Sequence, residues 1–246
     1  MMTDNSIATL THFGNAPFFV FCDHASNAVP NELHCLGMPE DMMETHIAWD
    51  IGAGAVAGSL AEKLAATYFQ CEFSRLLVDS NRDQTAHDVI PVVSDKIPIP
   101  GNQTLTNDER SARFENFHAP YHVKLNAAIE EMMAKHGLPF VISIHSFTHR
   151  LMGGKKDRPW KFGFLWREDE ENARALMGEL KKRTGWEIGD NEPYDAREFN
   201  YSVDRHIGPR NLPHVTVEIR QDILSDDHGI EIVADHLARA IQAISK

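Results

Sequence analysis

The chain has few cysteines and no long apolar run. Its three cysteines, Cys22, Cys35 and Cys71, form no C-x-x-C pair, and their odd number argues against a disulfide framework. No stretch approaches the roughly 20 apolar residues that a membrane helix needs. Residues 1–15 lack the basic segment and apolar core of a signal peptide. We therefore expect a cytoplasmic protein with no membrane partner.

The sequence also has no basic stripe. The formal net charge is −12, and the short basic runs at residues 155–156 and 181–183 are flanked by acids. Proteins that bind nucleic acids usually cluster Lys and Arg on one face, so we expect no nucleic-acid partner. What is abundant is histidine: the chain has 14, which prompts a search for metal sites.

Strand-like and helix-like segments alternate along the chain. Strands are predicted at Pro17–Cys22, Glu72–Val78, Pro139–Ile144, Lys161–Trp166 and His214–Ile219. Helices are predicted at Glu44–Ala66, Thr106–Gly137, Glu168–Thr184 and Ile230–Ile241. This alternation predicts a single domain over residues 1–246, a three-layer α/β/α fold with a mostly parallel mixed sheet.

Polar side chains follow several of the predicted strands. They are His24, Asp79, Arg82, His145 and Glu218. Sites in open α/β sheets lie beyond the carboxyl ends of the strands, so we expect these side chains to converge at one edge of the sheet.

Zinc catalysis on an amide needs three protein ligands of the His/His/carboxylate kind and an open fourth position. His24 and His145 are the candidate nitrogen ligands, and Asp50, just before a glycine-rich helix start, is the candidate third ligand. Asn27 is an alternative third ligand, because His24 and Asn27 have the spacing of an H-x-x-E motif. We prefer Asp50, since an amide oxygen is a poor zinc ligand.

Such a reaction also needs a carboxylate that moves a proton and a cation that holds any substrate carboxylate. Glu218, on a buried strand, is the candidate general base, although an ion pair with Arg220 on the same strand face is an alternative role. The candidate substrate-binding residues are Arg75, Arg82, Asn81, Arg220 and His122. His118 and His122 share a helix face at i and i+4, which suits a metal pair or one residue that reaches the site.

Six segments together resemble the N-formylglutamate amidohydrolase family. They are Asp23–Pro30, His46–Gly52, Arg75–Arg82, Pro120–His122, Ser143–Ser146 and Val217–Leu224. The resemblance implies a zinc-carboxypeptidase-like fold, one zinc ion, and hydrolysis of a small N-formyl or N-acyl amino acid such as N-formylglutamate. A more distant similarity to zinc cell-wall amidases implies a ligand role for Asp50 and a base role for Glu218.

The chain departs from the family pattern at its first predicted ligand. It has His24-Ala-Ser where the family usually has His-Ser-Gly, and the segment Tyr201–His206 looks like that of a divergent branch. In that branch, Arg205 and His206 could belong to a pocket of its own.

Two rival interpretations come from other functional classes. Gly52–Ala57 fits the G-x-G-x-x-G/A pattern of an NAD-binding oxidoreductase, but no buried apolar strand precedes it, as that fingerprint requires. We instead expect these glycines to pack a helix against the sheet. The second rival is a non-catalytic carboxylate-binding protein, which would use the arginines but not Glu218 beside a metal.

Overall fold

The computed structural model describes residues 7–152, 154, 157–167, 169–197 and 200–245. Its strands are β1 (Ala8–His12), β2 (Phe18–Cys22), β3 (Thr67–Cys71), β4 (Val93–Ser94), β5 (Ile97–Pro98), β6 (Phe140–Phe147), β7 (Phe162–Leu165), β8 (Ile188–Asp190) and β9 (His214–Arg220). Seven of them form one sheet in the order β1-β3-β2-β6-β9-β7-β8, while β4 and β5 form a small hairpin. The central strands β3, β2, β6 and β9 run parallel, and antiparallel pairs flank them.

Helices cover both faces of the sheet. They are α1 (Glu40–Met43), α2 (Ala53–Leu64), α3 (Pro100–Gln103), α4 (Asn107–Arg113), α5 (Ala119–His136), α6 (Glu170–Thr184), α7 (Tyr201–His206) and α8 (Asp227–Ile244). The predicted helix start at Glu168 lies outside the described residues. None of the described helices is long and apolar enough to cross a membrane.

The two cores follow from side-chain alternation along the buried strands. In β2, Phe19 and Phe21 pack in the core that contains the apolar face of α5, whereas Val20 and Cys22 pack with α2 and α8 on the other face. A strand buried on both faces is expected in a parallel sheet between helical layers. The predicted three-layer α/β/α fold is therefore confirmed.

The same alternation directs the polar residues of β6 and β9. His145 and Glu218 are register partners on these neighbouring strands. Both lie on the opposite face from Ile144 and Val217, which pack in the core with α2 and α8. Strand pairing alone thus brings the two side chains to one face of the sheet.

The helix α4 begins where the sequence predicts it. Thr106 and Glu109 form a reciprocal capping box that satisfies backbone N–H groups of the first turn. A π-helical turn, Phe114–His118, then precedes Pro120. Proline has no N–H to donate to the carbonyl four residues earlier, and the irregular turn lies at this point of the chain.

Two segments differ from their predicted structure. Residues Glu72–Val78 form turns, and the strand is the preceding segment, Thr67–Cys71. The helix predicted at Glu44–Ala66 begins only at Ala53. The apolar residues of both segments are buried under other parts of the fold. Their spacing along the sequence therefore resembles that of a strand or a helix, although the backbone forms neither. As a consequence, Asp79 follows a buried turn and not a strand.

The glycine-rich start of α2 has a packing role. Gly52 has φ +77°, and a Cβ there would lie 2.7 Å from Leu224 Cβ. A Cβ on Gly54 would lie 3.0 Å from Ala25 Cβ. Turns, not a strand, precede Gly52. The fingerprint of a dinucleotide site is therefore incomplete, and the glycines allow α2 to approach its neighbours closely.

Candidate metal centre and active site

A cavity of about 400 Å³ opens at the carboxyl edge of the central strands. Its size is within the range of small-molecule sites. Its polar lining comes from several separate segments and consists of His24, His46, Asp50, Arg75, Asp79, Asn81, Arg82, Asp88, Ser94, Asp95, His145, Ser146, Tyr194, Asn200, Thr216 and Glu218.

Three of these side chains form a compact group of potential metal ligands. One donor atom each from His24, Asp50 and His145 lies within 4.8 Å of the others, and all three residues are buried. Asp50 Oδ2 is 2.8 Å from His145 Nδ1 and 3.4 Å from His24 Nδ1. Turn structure carries Asp50 to the strand ends, where its N–H donates to the carbonyl of His24. Two imidazoles and one carboxylate are a donor set that a metal ion accepts.

The orientation of His24 fits a metal ligand. Its Nε2 is 2.8 Å from Asp79 Oδ1, and its Nδ1 is a buried nitrogen with no hydrogen-bond partner. A proton on Nε2, facing Asp79, leaves the Nδ1 lone pair directed toward Asp50. Buried polar atoms without partners are costly, so an orphaned nitrogen beside a carboxylate fits a site for a cation.

Arg75 holds the carboxylates of this site together. Its guanidinium donates to Asp50 Oδ1 at 3.2 Å and to Asp79 Oδ2 at 2.8 Å. Asp79 also accepts from the N–H of Asn81, at 2.9 Å. Burial would raise the pKa of Asp79, but Arg75 and His24 outweigh it and hold the pKa well below its usual value.

Asp23 lies on the far side of His145. Its Oδ1 accepts hydrogen bonds from Tyr121 Oη at 2.5 Å and from Ser202 Oγ at 2.6 Å. Its Oδ2 lies 3.6 Å from His145 Nε2, and neither of these two buried atoms has a hydrogen-bond partner. Burial would raise the pKa of Asp23, but the contact and charge of His145 outweigh it and the pKa is lowered.

Opposite charges determine the ionisation of the ligand group. Burial would raise the pKa of Asp50, yet His24 and His145 lower it far below its usual value. Burial would lower the pKa of His145, but Asp23 and Asp50 raise it well above the usual value. The pKa of His24 is also raised, since Asp79 and Asp50 outweigh burial and Arg75. The site is thus built to hold positive charge among carboxylates.

Glu218 lies beside this group, on the strand next to His145. It is only 6% exposed, lines the cavity, and its Oε2 is a buried oxygen without a hydrogen-bond partner. Burial raises the pKa of Glu218 to about 7, although His145 acts in the opposite direction. A carboxyl group with such a pKa can both accept and donate a proton near neutral pH.

The candidate substrate-binding residues divide into two sets. Arg75, Arg82 and Asn81 line the cavity. Arg82 Nη2 is 3.2 Å from Asp88 Oδ2, at the cavity wall. Asn81 Oδ1 accepts from the N–H of Ser202.

Arg220 and His122, the other candidate substrate-binding residues, do not line the cavity. Asn27, the alternative third metal ligand, does not line it either. Arg220 donates to Asp222 and to the carbonyls of residues 158 and 159. These contacts differ from the ion pair with Glu218 that was the alternative role of Glu218. His122 is buried behind the site, with its Nδ1 2.9 Å from His206 Nε2. The amide of Asn27 donates to the carbonyl of Met43, away from the ligand group.

His122 belongs to a second cluster of histidines, which we call the histidine stack: His118, His122 and His206. The ring of His122 lies 4.5 Å from that of His118 and 5.1 Å from that of His206, measured between centroids. Burial lowers the pKa of all three, to about 3 for His122 and about 4 for His206. Among the described residues, the stack does not form a group of three close metal-ligand atoms.

Sequence reasoning missed several cavity residues and Asp23. His46 and Asp95 line the cavity as a pair, with Nε2 and Oδ2 2.9 Å apart. Asp23 stands directly before His24 in the first motif, so an acid beside a predicted ligand was the available signal. Its contact with His145 depends on strand pairing and could not be read from the local pattern.

The chain is similar to N-formylglutamate amidohydrolases in sequence and in fold. A family model described as N-formylglutamate amidohydrolase matches residues 16–225. The crystal structure of a gene product from Agrobacterium tumefaciens superposes with a TM-score of 0.91, at 29% identity over 99% of this chain and 98% of that one. The N-formylglutamate amidohydrolase from Ralstonia eutropha JMP134 has the same fold, with a TM-score of 0.69 at 18% identity over 98% of this chain and 97% of its own. A search of curated proteins finds no match.

Proposed function

Because the chain belongs to the N-formylglutamate amidohydrolase family and is therefore a hydrolase of an amide bond, we propose that it is a zinc enzyme that cleaves the amide of an N-formyl or N-acyl amino acid. Family membership removes the dehydrogenase and the non-catalytic protein as interpretations. The zinc ion and the substrate class are the parts that we propose.

The observation that supports the proposal most strongly is the position of Glu218. Its unpartnered Oε2 and the His24–Asp50–His145 group face the same cavity, and burial raises its pKa to about 7. An unpaired buried carboxyl group destabilises a fold, so its presence at this position favours a functional role. A proton acceptor beside a metal-ligand group is what amide hydrolysis requires.

His24, Asp50 and His145 would hold the zinc ion. When bound, zinc supplies a Lewis acid that polarises the amide carbonyl and lowers the pKa of water. Asp79 holds the Nε2 of His24 at 2.8 Å and keeps its ring oriented. Arg75 binds both Asp50 and Asp79, so it fixes two parts of the site at once.

Glu218 carries the proton in this proposal. Its carboxylate accepts a proton from the attacking water and then donates it to the leaving nitrogen, which departs as an amine. The raised pKa suits this exchange, because the group must be a base before the attack and an acid after it.

Arg82 is the better of the two candidate clamps for a substrate carboxylate. Both Nη atoms of Arg75 already contact buried carboxylates of the site. Arg82 lines the cavity beside the more exposed Asp88, where a ligand can compete for the guanidinium. A bidentate contact with Arg would orient the amino-acid part of the substrate.

Zinc analysis combined with a substrate panel tests the proposal. The panel contains N-formylglutamate, N-acetyl and longer N-acyl amino acids, and a matched set in which the α-carboxylate is amidated. We expect about one zinc per chain and release of amine from members with a free carboxylate. Absence of zinc after zinc supplementation, or equal rates for the amidated set, would contradict the proposal.

A further inference from the structure

The two candidate histidine ligands differ in what faces their outer nitrogens. Asp79 Oδ1 is 2.8 Å from His24 Nε2, which is an ordinary hydrogen bond. Asp23 Oδ2 is 3.6 Å from His145 Nε2, which is longer than a hydrogen bond. Both Asp23 Oδ2 and His145 Nε2 are buried and have no hydrogen-bond partner.

Asp23 is held in place from its other oxygen. Tyr121 of α5 and Ser202 of α7 both donate to Oδ1, at 2.5 and 2.6 Å. The two donors occupy one oxygen and turn the other toward His145. Two elements far apart in sequence thus fix a carboxylate that the proposed hydrolysis does not use as ligand, base or substrate contact.

We propose that Asp23 is a positioning residue for zinc, which accepts a hydrogen bond from the Nε2–H of His145 and so fixes the tautomer whose Nδ1 can ligate. The inference rests on the proposed zinc function. Asp23 contacts neither substrate nor metal in this role and acts through His145 alone.

The reason lies in imidazole tautomerism. His145 Nδ1 faces Asp50, 2.8 Å from Oδ2. A neutral imidazole that ligates through Nδ1 carries its proton on Nε2, and a carboxylate facing that proton stabilises this tautomer. A shift of less than about 1 Å would bring Asp23 Oδ2 to hydrogen-bond distance and satisfy both orphaned atoms.

Two substitutions separate this role from a loss of charge alone. Asp23→Ala removes the acceptor. Asp23→Asn keeps the shape. Tyr121 and Ser202 donate to the Oδ1 position in the wild type, and an amide oxygen that keeps both contacts places the NH₂ group against His145. That donor favours a lone pair on His145 Nε2 and the wrong tautomer for ligation. We therefore expect Asp23→Asn to weaken zinc binding at least as much as Asp23→Ala.

Ser80→Ala is the matched control. Ser80 is buried and donates its hydroxyl to the backbone carbonyl of Asp23, at 2.9 Å, so its loss disturbs the same turn without changing the carboxylate. A second approach keeps the carboxylate but loosens it: Tyr121→Phe combined with Ser202→Ala removes both donors to Oδ1.

Zinc affinity, measured by competition with a chelator, is the deciding readout. Loss of a partner to a ligand histidine typically weakens metal binding 10–100-fold. We expect a loss in that range for both Asp23 variants, a smaller loss for the double variant, and wild-type affinity for Ser80→Ala. Nitrogen NMR of the zinc-loaded wild type should show the His145 proton on Nε2, and unfolding of the metal-free variants should confirm that each is folded.

The outcomes distinguish the two proposals. A wild type that binds zinc, with Asp23 variants of unchanged affinity, would overturn the role of Asp23 and leave the proposed function intact. Equal losses in Ser80→Ala and Asp23→Asn would also overturn it, because the effect would then follow from the turn. A wild type that binds no zinc would overturn both proposals.

Discussion

The ligand group and the histidine stack place the same residue type at similar burial in two different electrostatic settings. His24 and His145 are each faced by two aspartates, and their pKa values are raised. In the stack, burial and the neighbouring His118 and His206 together lower the pKa of His122 to about 3. Carboxylates around an imidazole make a site for a cation, whereas stacked imidazoles make a neutral structural cluster.

The difference shows why histidine spacing alone is a weak guide to metal sites. His118 and His122 have helical i, i+4 spacing, which favours a metal pair. His24 and His145 are far apart in sequence and meet only through the sheet. The two sets differ in whether carboxylates face the imidazole rings. The carboxylates that face His24 and His145 belong to turns and strand ends.

Removal of a ligand should have the largest effect. His145→Ala is expected to lose zinc and all measurable turnover, because two remaining ligands hold the ion poorly. His122→Ala, in the stack, should keep about one zinc per chain, even if it lowers stability. Zinc content after gel filtration checks both variants. Zinc loss from His122→Ala with retention in His145→Ala would reverse the two assignments.

Glu218→Gln should have the next largest effect. It keeps the shape of the side chain and removes the proton acceptor, so kcat should fall by roughly 10²–10⁴ while KM changes little. Zinc should remain, since Glu218 is not among the proposed ligands. Steady-state kinetics with metal analysis separates the possibilities: lost zinc would make Glu218 a ligand, and full activity would end its role as base.

Arg82→Met should reduce kcat/KM by roughly 10–100-fold for substrates with a free α-carboxylate, chiefly through KM, as expected for one lost hydrogen bond to a charged group. The amidated substrates should lose much less. Arg220→Met is the matched control, because Arg220 is tied to Asp222 and to backbone carbonyls outside the cavity. An equal rise in KM for Arg220→Met would remove the assignment of Arg82 as the clamp.

Part of the fold and part of the candidate site could be predicted from the sequence. The buried strands around Phe19–Cys22 and Val141–Ile144 follow from apolar runs of strand length, and the parallel register then brings His145 next to Glu218. Asp50 could be proposed from its place before a glycine-rich helix start. These features depend on local sequence, or on the rule that sites in open α/β sheets lie beyond the carboxyl ends of the strands.

Other features depend on contacts that no local pattern contains. The apolar residues of Glu72–Val78 resemble a strand because they are buried, yet the segment turns so that Asp79 can meet both Arg75 and His24. The anchoring of Asp23 requires α5 and α7 to meet at one carboxylate. Long-range packing decides both arrangements, and hydrophobic periodicity does not report it.

The smallest expected effect concerns the stability of the stack as the pH falls. Histidines of the unfolded chain take up protons below pH about 6.5. In the folded chain, the pKa of His122 is lowered to about 3 and that of His206 to about 4. In this window the unfolded state binds more protons, so the stability contributed by the stack is present above pH about 6.5 and is lost progressively below it.

His122→Gln tests this sign in the metal-free protein, in which the ligand group titrates in both proteins alike. Wild type should be the more stable at pH 7.5, because the variant loses a stacked ring and its contact with His206. At pH 4.5 the wild type bears the cost of keeping His122 neutral about two pH units below the pKa of a histidine in the unfolded chain, so the stability difference should narrow by about 2–3 kcal/mol, or about 5–10 °C in Tm for a domain of this size. His87→Gln, at an exposed histidine, should leave Tm nearly unchanged at both pH values. If the His122→Gln difference stays constant or widens as the pH falls, the stack is protonated in the folded state, and the contrast with the ligand group fails.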